Sequence, residues 1–312
     1  MKKILFYLVI SLLPAYALGT TPACTTPDVQ QAAIIFTVSG ATSVGEAEFS
    51  LSETRKVRFM LGNLQYQPST GTWRIAARQY DYVGGNFNDS NKDLPNGQYG
   101  TVWENISGTP TRCANVDKGS NYGSYAGWVD LFIWGTGDLH GTDIKSGETF
   151  VTPTEAEFTH LVKNRDKAEE LCARGCIRLL GNGGDPDTVV NGLILLPDNW
   201  DPKIMPVGKA FKSDADGCAL YADNEFTESE WKILEAQGAI FLPAAGIYSS
   251  APGSTKYNRS GYYWTGTPNG GNGVTLEFGG FIWKGQNCKP SFAYNQNKNQ
   301  QRAIRLCQVV SE

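Results

Sequence analysis

The sequence predicts an α+β fold in which short strands outnumber helices. Explicit helix starts occur at two places only, while strand-like apolar segments recur between Gly, Ser and Asn turns. The composition agrees: 35 glycines, 12% aromatic residues and 19% charged residues suit loop-rich aromatic packing rather than a helical bundle.

In chain order, Lys2 and Lys3 precede an apolar run from Ile4 to Leu13, then Pro14 and the small residues Ala15, Ala17 and Gly19. This is the layout of a secretory signal peptide over residues 1–19, too short to anchor in a bilayer. The expected product is secreted or held at the outer cell surface, without a transmembrane helix. Residues 20–56 read as a tail and short β segment, and residues 57–312 as the main domain. Ile34–Val38 and Lys56–Phe59 are extended, either as an addition to the main sheet or as a small module. The Gly, Asn, Asp and Ser-rich stretch from Gly84 to Asn121 predicts a long surface loop.

The first helix is expected to start at Thr152, with Pro153 in its first position, Glu155 closing a capping box, and Phe158, Leu161 and Val162 facing inward. The second starts at Thr227 with Glu230 in the reciprocal position; Phe226 and Trp231 staple across it, and Gly238 stops it. Strand candidates are Leu193–Leu196, Ala239–Leu242, Tyr262–Trp264, Val274–Phe278 and Ala303–Val310.

Charge excludes one class of partner. Without the two early lysines, 25 basic residues face 31 acidic ones, and the basic residues are scattered singly. A nucleic-acid partner would need them concentrated. Seven cysteines remain after cleavage. Cys24 offers a point of lipid attachment, or is a tail cysteine with no role; the other six allow up to three disulfides in an oxidising compartment. Cys172 and Cys176 sit four apart, a spacing that places them on one helical face, but neither His140 nor His160 completes a metal spacing with them. No cofactor or metal is expected.

An ordered series of motifs runs from about Val57 to Leu306: Gly62-Asn63-Leu64-Gln65-Tyr66, Trp73-Arg74, Tyr80-Asp81-Tyr82-Val83-Gly84, Gly127 to Thr136, Pro153-Thr154-Glu155-Ala156-Glu157-Phe158, Phe241 to Gly246, and Gly261-Tyr262-Tyr263-Trp264-Thr265-Gly266-Thr267-Pro268. The series resembles the Fibrobacter succinogenes major paralogous domain family and its relatives with a C-type-lectin-like, formylglycine-generating-enzyme-like fold. The resemblance implies two main helices, short twisted antiparallel strands and long loops. This chain reads Trp264-Thr265-Gly266-Thr267 where relatives read Trp-Ser-Ser-Thr, and Gln301-Arg302-Ala303-Ile304-Arg305 near its end, so the resemblance carries fold rather than ligand preference.

Activity is not expected. The oxidase chemistry of the formylglycine-generating relatives needs two thiols close together, whereas Cys288 and Cys307 lie nineteen positions apart. The calcium-binding triplets of lectins are missing; Asp185-Pro186-Asp187 and Asp198-Asn199 read as turns. Glu155 with Glu157, and Glu228 with Glu230, sit where helix starts favour acids.

The expectation is therefore a non-catalytic binding protein recognising a glycan or protein on a host or neighbouring cell. Its site residues are Tyr248, Tyr257, Asn258, Asn269, Asn272, Trp283, Asn287, Tyr294, Asn295 and Asn297, aromatics to stack and amides to hydrogen-bond. Trp264 is expected in the core and Trp283 at the surface. Alternatives are a variable target protein of a diversity-generating retroelement, a formylglycine-generating-like oxidase, and a structural component of a surface appendage.

Overall fold

The computed structural model describes residues 34–36, 44–67, 72–82, 140–143, 149–180, 188–217, 219–247, 258–269, 272–279, 289–296, 300 and 302–311. The segment expected to be a signal peptide, the Gly84–Asn121 stretch, the Gly127–Thr136 block, Cys24, Cys113, Cys218 and Cys288 lie outside them. The strands are β1 (Ile34–Phe36), β2 (Phe49–Ser50), β3 (Lys56–Phe59), β4 (Leu64–Gln67), β5 (Thr72–Ile75), β6 (His140–Asp143) and β7 (Thr149–Val151). After helix α1 (Glu155–Thr159) and a π-helical turn (His160–Asn164) come β8 (Cys172–Leu179), β9 (Thr188–Leu195), β10 (Glu225–Thr227) and helix α2 (Glu228–Glu235). The chain closes with β11 (Ile240–Pro243), β12 (Ser260–Asn269), β13 (Asn272–Gly279), β14 (Ser291–Gln296) and β15 (Cys307–Ser311).

The described architecture is α+β, mostly antiparallel, with two short α-helices. Strand order is β1-β6-β7-β15-β3-β2 in the largest sheet, β10-β8-β9-β11 in the second, β12-β13-β14 in the third, and β4-β5 in a hairpin. β1–β6 and β10–β8 pair in parallel. The first and last described parts of the chain meet in one sheet, because β3 pairs with both β2 and β15. One apolar cluster links these elements, running from Phe49 and Phe59 through Trp231 and Phe241 to Trp264 and Leu306.

Helix α2 forms where its local signals put it. The Thr227 hydroxyl accepts from the Glu230 N–H, the Glu230 carboxylate accepts from the Thr227 N–H, and Phe226 and Trp231 are buried on either side. Gly238 then stops it at φ 91°, and a Cβ there would lie 2.0 Å from the Ala47 Cβ.

Helix α1 starts two residues later than predicted. Thr154, not Thr152, is the N-cap, and Glu157 rather than Glu155 closes the box. Both Thr-x-x-Glu spacings are locally equivalent, so tertiary bonds decide. Val151 pairs with Cys307, and the Pro153 carbonyl accepts from the Gly266 N–H, which holds that segment extended until Thr154.

Three further expectations need correction. Cys172 and Cys176 lie on strand β8, not on a helix; four residues of strand separate them by about 13 Å, too far for either a disulfide or a shared ion. The strand expected over Ala303–Val310 is limited to its second half, since Ala303 forms only an isolated parallel bridge to Tyr263. Strand β14 occupies a stretch that amide-rich composition assigns to loop.

Arg305 joins the hairpin, β11 and the last segment. It is 1% exposed, with Nε donating to Asn63 Oδ1 at 2.9 Å, Nη1 to the Met60 carbonyl at 2.9 Å and Nη2 to the Phe241 carbonyl at 2.9 Å. Asn63 in turn donates to the Tyr263 hydroxyl, which donates to the Pro243 carbonyl. Three segments of the motif series, Gly62–Tyr66, Phe241–Gly246 and Gly261–Trp264, thus meet around one buried guanidinium.

Candidate functional site

The end of the β12-β13-β14 sheet gathers four of the residues singled out from sequence. Asn269 and Asn272 face each other where β12 turns into β13, and Asn269 Nδ2 donates to Asn295 Oδ1 at 3.0 Å. Asn295 is exposed at φ 57°, a left-handed conformation that Asn tolerates better than most side chains. Its neighbour Tyr294 is 53% exposed and donates to Glu155 Oε1 at 3.0 Å, which braces the tip against α1. An exposed tyrosine ringed by amides can stack on an apolar face and exchange hydrogen bonds with hydroxyls.

Asn258 is placed elsewhere. Its Oδ1 accepts from the Asn191 N–H and its Nδ2 donates to the Val189 carbonyl, both at 2.7 Å, so the side chain clamps β9. Tyr248, Tyr257, Trp283, Asn287 and Asn297 lie outside the described residues.

Behind the tip lies a buried arginine that the sequence reading did not include among the candidate site residues. Register puts Tyr262, Trp264, Thr275, Glu277 and Ala293 on one face of the sheet and Tyr263, Leu276 and Phe278 on the other. Gly261 is required there: a Cβ would lie 1.9 Å from the Phe278 ring. Arg302 lies over the Trp264 ring with its guanidinium carbon 4.4 Å from the centroid, and both residues are 1% exposed. Its Nη2 donates to Gln296 Oε1 at 2.7 Å and Gln300 Oε1 at 2.8 Å. The sequence signal was only an arginine near a departure from the family pattern.

The described thiols are poorly suited to nucleophilic chemistry. Cys172, Cys176 and Cys307 are free and buried. Burial pushes the Cys172 and Cys307 thiols well above the ordinary range and the Cys176 thiol up to about 12, so all three stay protonated at neutral pH. Among the described residues no three His, Cys, Asp or Glu side chains converge as metal ligands, and no helix is long and apolar enough to cross a membrane.

Asp214 has the most perturbed described carboxyl. It is 2% exposed, neither oxygen reaches a donor at hydrogen-bonding geometry, and burial raises its pKa to about 6 against the weaker pull of Arg174 and Lys289. The Ala219 amide lowers it slightly without forming a full hydrogen bond. The folded state therefore holds its proton more tightly than the unfolded chain, and stability falls as pH rises from about 4 to about 6. Asp214→Asn removes that slope. In urea unfolding, the variant is expected to gain about 2 kcal/mol on the parent between pH 4 and pH 7; a gap that does not change with pH would show that the carboxyl has a partner.

A cleft of about 630 Å³ opens at the other end of α2, lined by Val44, Leu61, Asp201, Ile204, Lys232 and Glu235 among others. None of the sequence-derived site residues among the described residues borders it. Comparison with protein-family models, curated proteins and solved structures found no match.

Proposed function

We propose that the chain is a non-catalytic binding protein, exported or displayed at the cell surface, whose C-type-lectin-like domain recognises a glycan or protein ligand through the tip of its C-terminal sheet. The observation that carries this reading is the exposed Tyr294 set among Asn269, Asn272 and Asn295. Hot spots favour such rigid amphipathic rings, and amides supply directional bonds at small entropic cost. The antiparallel α+β architecture and the ordered motif series support the fold assignment, and the buried, protonated state of Cys172, Cys176 and Cys307, the thiols among the described residues, favours binding over oxidase chemistry.

Glycan and protein arrays probed with the mature chain test it. A specific ligand is expected, with affinity lowered about tenfold or more by Tyr294→Ala and little change in melting temperature, since the ring is half solvated. Silent arrays, or full affinity in a Tyr294→Ala, Asn295→Ala double variant, would count decisively against this site.

A further inference from the structure

Arg302 is buried to 1% exposure yet incompletely paired, a combination that costs stability. Nε and Nη1 reach no acceptor among the described residues, and Glu277 acts on the guanidinium only through space. Burial lowers its pKa to about 10, so it keeps its charge at neutral pH. Two neutral amide oxygens, Gln296 and Gln300, converge on the single nitrogen Nη2. A carboxylate would bond two nitrogens at once, a direct contact that Glu277 does not make. Trp264 fixes the plane of the fork for such a partner.

We propose, building on the binding reading above, that Arg302 anchors the carboxylate of an acidic sugar, a uronic or sialic acid residue, which takes Nη1 and Nη2 as the glutamine amides yield Nη2. A sugar is favoured over a peptide because Tyr294, Asn295 and Asn269 offer a ring face, amides and a hydroxyl. The exposed large aliphatic side chains among the described residues, such as Leu180, Val207 and Leu220, lie outside β12, β13 and β14.

The test is calorimetric titration of the mature chain with oligogalacturonate and sialyllactose, with their carboxyl-reduced or neutral counterparts, and with a short peptide bearing a free C-terminal carboxylate. At least one acidic sugar is expected to bind about tenfold or more tighter than its neutral counterpart, since charge-assisted paired bonds exceed neutral ones. Arg302→Lys and Arg302→Met should lose that preference. Gln296→Ala, which leaves Arg302 in place and removes one of the two amide oxygens on Nη2, should tighten acidic binding. Equal affinity for acidic and neutral sugars, a preference surviving in Arg302→Met, or weaker acidic binding in Gln296→Ala overturns the anchor and leaves the binding reading standing. Binding of the peptide without any sugar overturns the acidic-sugar assignment. No binding of any probe, together with silent arrays, overturns both.

Discussion

Arg305→Met is expected to destabilise the protein by about 3–5 kcal/mol, the largest effect of any single substitution outside the hydrophobic core. Methionine matches the length of the stem but donates nothing. The carbonyls of Met60 and Phe241 and the Asn63 Oδ1 would lose their donors inside a site fully closed to water. A buried acceptor stripped of its donor costs about 1–3 kcal/mol, and these three are stripped together with the longer Nη2 contact to the Gln79 carbonyl at 3.4 Å. Arg305→Lys should cost less, because one ammonium can satisfy part of the set, but its point charge cannot span three directions. Urea unfolding of the three proteins checks this ordering. A loss below about 1 kcal/mol for the methionine variant would mean that the acceptors find other donors and that Arg305 does not hold the three segments together.

What the sequence made legible follows the range of the forces involved. Helix α2 was readable because Thr227, Glu230, Phe226, Trp231 and Gly238 all act within a dozen residues. Helix α1 was readable in kind but not in register, since the choice between Thr152 and Thr154 is made by Gly266, more than a hundred residues away. Strand β8 was hidden because Arg174 and Gly175 break its apolar pattern. Arg174 is buried against the Ala219 carbonyl and the Tyr221 ring, and Gly175 admits Ile194 and Asn224. The candidate site divides in the same way: amide-rich composition pointed to Asn269, Asn272 and Asn295, which the structure brings together. It could not separate them from Asn258, whose bonds to β9 depend on a strand sixty-seven residues earlier. Nor could it show that Arg302 is buried, because that follows from the parallel bridge between Tyr263 and Ala303.

Trp264→Ala is expected to cost about 3–5 kcal/mol, as large aromatic truncations in closed cores do. The ring is 1% exposed and belongs to the one core cluster, so its removal leaves a cavity that β12 cannot collapse to fill. The strand is held on both sides, by β13 through Thr275 and by the final segment through the Trp264 N–H to the Ala303 carbonyl at 3.0 Å. A second loss follows, because Arg302 would forfeit the ring face on which its charge rests while its Nε and Nη1 stay unpaired. That part of the cost can be isolated. If the two side chains stabilise each other, Trp264→Ala should be less damaging in an Arg302→Met background, with a coupling of about 1 kcal/mol in a double-mutant cycle. Trp264→Phe, which keeps a smaller ring face, should fall between parent and alanine. Equal destabilisation by Trp264→Ala and by Tyr294→Ala would contradict a division in which the buried tryptophan supports the tip and the half-exposed tyrosine is left free for the proposed ligand.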